Sequence, residues 1–137
     1  MTDRPVAVFF YGLYMDEELL RGKGLIPLNS RRASVEGFGL RIGKRATLVP
    51  AKDERSYGMV MGLTHREVET LYSGPGLEHY RAEAVTCQTL DGELVCALCY
   101  NLPDTPGPDE MNAAYAGQLR AVLARLGFPE EYVESVR

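Results

Sequence analysis

Two strand-like runs, residues 80–89 and 93–102, meet at Asp91-Gly92, a dipeptide suited to the left-handed backbone of a tight antiparallel turn. Strands joined this directly leave no room for a crossover helix. A doubly wound parallel sheet needs such a helix between successive strands, so the pair argues against that whole class.

The rest of the chain agrees. Residues 6–11 (VAVFFY) are β-branched and aromatic, bounded by Pro5 and Gly12, and read as a buried first strand. Residues 16–21 (DEELLR) follow as a short helix whose acids suit the dipole of its first turn. A loop is expected over 22–30, and a strand over 32–42 with a bulge or bend at Gly37 and Gly39. Residues 47–50 form a short apolar segment, 52–55 an exposed turn, and 57–63 another strand. Thr64 and Glu67 match a capping box, which predicts a helix over 65–72, broken by the SGPG of 73–76. Met111, Tyr115, Leu119, Val122 and Leu126 recur at helical spacing, with Gly127 and Pro129 to stop the last helix. The expectation is one α+β domain over 1–137: a small curved or closed mixed β-barrel flanked by short helices.

A chain of 137 residues can bury a core without staples. Its formal charge of −4 is dispersed, with basic clusters only at Arg31-Arg32 and at Arg41, Lys44 and Arg45. That is too little to track a phosphate backbone, so no nucleic acid is expected. No stretch approaches transmembrane length and none reads as a signal peptide, so no membrane association is expected either. Cys96 and Cys99 form a C-x-x-C, but strand alternation turns them to opposite faces, and neither a second such pair nor paired histidines exist. Core packing is therefore favoured over a metal or redox role, no metal or cofactor is expected, and nothing demands a disulfide, which suits a cytoplasmic location.

The turn Phe10-Tyr11-Gly12-Leu13-Tyr14-Met15 carries the most chemistry. A strand entering a glycine turn and then a helix presents backbone N–H groups that can cradle a carboxylate. Taken alone, its spacing favours an ordinary strand–helix turn.

Set beside the rest of the chain, this turn resembles that of the gamma-glutamylcyclotransferase-like family, which opens with a strand and Tyr-Gly-Ser. Tyr11, Gly12 and Met15 match, and Leu13 stands where serine is usual. Val35-Glu36-Gly37-Phe38, the apolar segment 46–50, the strand 58–63, Tyr80-Arg81 with Val85, and Gly127-Phe128-Pro129 with Tyr132 follow in the family's order.

The resemblance implies a small barrel and an intramolecular acyl transfer. The substrate's α-amine attacks its own γ-amide carbonyl, closing 5-oxoproline and expelling an amine, without metal or cofactor. Backbone donors must hold the glutamyl group, and a carboxylate must take the ammonium proton and return it to the leaving amine. The family keeps that glutamate just after the short helix; here Pro75-Gly76 occupies the place. Glu78 and Glu83 are the nearest candidates for the catalytic role, each also readable as a solvated surface residue. Glu69 is a further carboxylate and His79 a possible base. Tyr11, Gly12, Leu13, Tyr14 and Tyr80 are the expected substrate-binding residues. Two functions stay open: a cyclotransferase-like enzyme, or a module that binds a small molecule with a glutamyl or carboxylate group and has lost the proton shuttle. Nothing in the sequence specifies an oligomeric state.

Overall fold

The computed structural model describes residues 4–137. Five strands close into a barrel: β1 (Pro5–Phe10), β2 (Leu28–Ile42), β3 (Ala46–Thr64), β4 (Arg81–Thr89) and β5 (Leu94–Asn101), in the order β1-β3-β2-β4-β5. All pairings are antiparallel except the seam, where β1 meets β5 in parallel through Val8 and Leu98. The expected closed mixed barrel is thus present.

Alternation along the strands divides the apolar residues between two cores. Phe9, Val35, Val60, Val85 and Cys87 fill the barrel. Val8, Phe10, Met59, Met61 and Leu63 point outward and are covered by the helices. β1 carries large side chains on both faces because both faces are buried. Four short helices supply the cover: α1 (Glu17–Gly22), α2 (His65–Leu71), α3 (Ala113–Arg125) and α4 (Glu130–Ser135). α2 begins as expected, with Thr64 and Glu67 exchanging both bonds of a capping box. α3 buries Ala116, Leu119 and Leu123 against the barrel.

Several boundaries differ from expectation, each for a physical reason. The loop over 22–30 is shorter, because β2 already pairs at Leu28 with Gly62. The turn expected at 52–55 is the outer part of β3. Pro50 pairs with Phe38 and Arg55 with Glu36, so residues 51–54 oppose Gly37 alone. Gly37 absorbs this bulge at φ 83°, where a side chain would be strained. Gly39, by contrast, stays in register opposite Val49, and a Cβ there would strike the Glu54 and Arg41 side chains. Met111 is 79% exposed and precedes α3, so it does not belong to the buried stripe. The C-terminal residues 130–135 form a helix where none was expected, entered through Pro129.

Cys96 and Cys99 do face opposite ways, but only Cys87 and Cys99 are buried; Cys96 is exposed on the outer face of β5. No helix among the described residues is long and apolar enough to cross a membrane.

Candidate functional site

Strand β1 ends by feeding Tyr11 into the barrel and turning at Gly12. The single 3₁₀ turn Leu13–Met15 follows, closed by Met15 N–H to the Gly12 carbonyl at 3.0 Å. Beside this turn opens a cavity of about 360 Å³. Three segments distant in sequence complete its wall: the β2–β3 hairpin tip with Lys44 and Arg45, the loop after α2 with Tyr72, Leu77 and Tyr80, and the start of α3 with Asn112 and Tyr115.

The tyrosines are tied down by backbone carbonyls. Tyr80 Oη donates to the Ala46 carbonyl at 2.5 Å. Tyr11 Oη lies 2.7 Å from the Tyr100 carbonyl and 3.4 Å from that of Ala46; with one proton to give, it donates to the nearer. The Tyr80 bond fastens the first residue of β3 and the Tyr11 bond fastens β5, so both tyrosines are held across the barrel end. Burial pushes the phenols of Tyr11, Tyr72 and Tyr80 above the ordinary value, which keeps them neutral. Tyr72 stacks on Tyr100 with centroids 4.1 Å apart and meets Tyr14 edge-on, covering the β1–β5 seam.

The Gly12 turn is only partly a free donor cradle. The Leu13 N–H, expected among the spare donors, is occupied by Tyr115 Oη at 3.2 Å. No partner is seen among the described residues for the amides of Gly12 and Tyr14. Gly12 also admits Tyr115: a Cβ at this position would stand 2.4 Å from the Tyr115 hydroxyl.

The five residues expected to bind substrate, Tyr11, Gly12, Leu13, Tyr14 and Tyr80, all lie on this wall. The two carboxylates do not. Glu78 is exposed in the loop after α2, and its carboxylate is held low by backbone N–H groups of its own loop. Glu83 extends the inward row of Val85 and Cys87 along β4, and its Oε1 accepts from the buried Asn101 Nδ2 at 2.9 Å, but it does not reach the cavity lining. His79 is likewise exposed and lies off the wall, as does Glu69 on α2.

What the sequence reading missed is the cationic rim. Lys23, Lys44 and Arg45 line the cavity, and no aspartate or glutamate among the described residues does. Arg45 lies against the loop after α2: its Nε donates to the Gly76 carbonyl at 3.1 Å. The basic cluster was visible as composition. Its place over the cavity follows from the length of the β2–β3 arm, which carries the hairpin tip to the barrel end. Tyr72 and Tyr115 carried a weaker signal, the end of a capped helix and the first turn of an amphipathic one.

No family model and no curated protein matches the sequence. The fold, however, is shared with solved structures. A gamma-glutamyl cyclotransferase superposes with a TM-score of 0.77 at 18% identity, over 96% of this chain and 86% of that one. YkqA from Bacillus subtilis gives 0.76 at 19% identity, covering 95% of this chain and 52% of that chain. An AIG2-like protein from Mus musculus gives 0.59 at 16%, over 84% and 93% of the two chains. The chain therefore has the gamma-glutamyl cyclotransferase-like fold over nearly its whole length.

Proposed function

We propose that the cavity at the barrel end binds a small molecule bearing a glutamyl or other carboxylate group, and that the chain acts as a binding module. The observation that supports this reading is the composition of the wall: five tyrosines and three cations, without a carboxylate to accept a proton. Cyclisation requires a base within hydrogen-bond reach of the attacking amine. Binding a carboxylate requires donors and positive charge, which the amides of the Gly12 turn and the cationic rim offer.

One observation favours a second reading, the cyclising enzyme. Glu83 follows the inward row of β4 with its carboxylate held by the buried Asn101, and this reading makes it the base. In that case it takes the ammonium proton and returns it to the leaving amine.

The two readings separate in one experiment. The protein is titrated with 5-oxoproline while the backbone amides of Gly12 and Tyr14 are followed by NMR. In parallel, 5-oxoproline release from glutathione and a panel of γ-glutamyl amines is measured. Binding without turnover is the expected result. Turnover that falls by about 10²–10⁴ in Glu83→Gln, with binding intact, establishes the enzyme instead.

A further inference from the structure

The cavity's charge says more about its ligand than its shape does. Five arginines outside it are paired: Arg21 with Glu17, Arg31 with Glu93, Arg41 with Glu54, Arg55 with Glu36 and Arg125 with Asp16. Three more arginines outside it, Arg32, Arg81 and Arg120, donate to backbone carbonyls instead. Lys44 has a carboxylate beside it, since Glu110 accepts from its backbone N–H at 3.3 Å. Lys23 and Arg45 have no acidic partner among the described residues. Arg45 spends Nε on the Gly76 carbonyl, which fixes its position, with Nη2 packed against Gly76 and no other hydrogen bond to its terminal nitrogens among the described residues.

We infer that the site selects acids that carry no ammonium group, and prefers those with a second anionic group for Arg45. This rests on the reading of the cavity as a carboxylate site and names the class of acid it takes. An α-ammonium entering the cavity would be desolvated among like charges, with neutral phenols and no carboxylate to receive it. A second carboxylate at the same place would meet the fork of a guanidinium already held in position. The geometry thus excludes free γ-glutamyl amines, the compounds a cyclising site must admit, by repulsion as well as by the missing base. It admits their deaminated counterparts.

Three probes of nearly equal size isolate each element. Glutamine carries the α-ammonium; glutaramate is the same molecule without it; glutarate replaces the amide of glutaramate with a second carboxylate. Affinities are measured by calorimetry at low and high salt, on the wild type and on Arg45→Gln and Arg45→Lys. Glutaramate is expected to bind about tenfold or more tightly than glutamine, and glutarate more tightly again, with both preferences weakening in salt. Arg45→Gln lowers glutarate affinity by about tenfold, and Arg45→Lys, which keeps the charge but loses the fork and the Gly76 bond, recovers only part of it. Thermal melts of both variants check that the hairpin tip is still folded. Glutamine binding as tightly as glutaramate overturns this inference and leaves the carboxylate site standing. Glutarate affinity unchanged in a folded Arg45→Gln removes Arg45 from it. If none of the three probes binds, the reading of the cavity falls, and the inference with it.

Discussion

The guanidinium of Arg45 rests on the backbone of Gly76, with Nε donating to its carbonyl at 3.1 Å. A Cβ at Gly76 would stand 1.9 Å from Nη2, and the residue's φ is 84°. Two rims of the cavity, the β2–β3 tip and the loop after α2, meet at this contact and again where Tyr80 donates to the Ala46 carbonyl. The Arg45 contact is possible only because the loop residue has no side chain.

Gly76→Ala should therefore do two things. The left-handed backbone costs about 1 kcal/mol for a residue with a Cβ, and the new methyl forces the guanidinium away. Gly74→Ala is the matched control, since its Cβ would meet only Leu77 at 3.8 Å. Urea denaturation should show a loss of about 1–2 kcal/mol for Gly76→Ala, with Gly74→Ala within about 0.5 kcal/mol of the wild type. Equal stability of the two variants would contradict the contact.

The three cysteines should differ sharply in reactivity. Cys96 is exposed, whereas Cys87 and Cys99 lie inside the barrel. Burial raises the Cys87 thiol and pushes that of Cys99 up to about 12, which leaves almost no thiolate at neutral pH. A thiol reagent should label one cysteine rapidly in the native protein and all three in denaturant. Cys96→Ser should abolish the fast phase. Rapid labelling of more than one thiol in the native state would show that the barrel opens easily.

The barrel's architecture was largely legible in the sequence, and its site only partly so. The Thr64–Glu67 capping box, the Asp91-Gly92 hairpin and the VAVFFY strand each rest on interactions between near neighbours, which local spacing encodes. The cationic rim rests on Arg45 meeting a loop 31 residues away, a contact set by how far the β2–β3 arm projects. Its length was obscured because the exposed residues 52–55 read as a turn. Glu78 and Glu83 were placed near the site by sequence proximity to Tyr80, but the loop turns one outward and Asn101 engages the other.

Alkaline pH should unfold the protein through its buried phenols. Tyr11, Tyr72 and Tyr80 have folded-state values raised by burial, so the native chain holds these protons more tightly than the unfolded chain does. The associated stability is fully present below the unfolded value of about 10 and falls as pH rises from there through the folded values. Melting temperature should decline above about pH 10, with phenolate absorbance rising as the fold is lost. Tyr72→Phe removes one titrating group and should flatten the decline. A melting temperature independent of pH in this range would show that these phenols are hydrated.

Two glycines on one strand give the sharpest test of how the barrel is packed. Gly58 and Gly62 lie four residues apart on β3, where it pairs with β1 and β2, and local sequence does not distinguish their roles. The structure separates them. A Cβ on Gly58 would stand 2.1 Å from the Phe10 carbonyl oxygen and 3.0 Å from the Phe9 ring, so β1 would have to move. That shift propagates to the Tyr11–Gly12 turn that begins the cavity wall. A Cβ on Gly62 finds neighbours no nearer than 3.6 Å, an ordinary contact distance. Overpacking against backbone costs about 1–3 kcal/mol or more, whereas an alanine that fits a strand regains part of the entropy glycine loses on folding, roughly 0.5–1 kcal/mol. Gly58→Ala should thus be destabilised by at least about 2 kcal/mol and should bind 5-oxoproline more weakly. Gly62→Ala should match or slightly exceed the wild type in both. A Gly58→Ala protein with wild-type melting temperature and affinity would mean that β1 and β3 are not packed as closely as this.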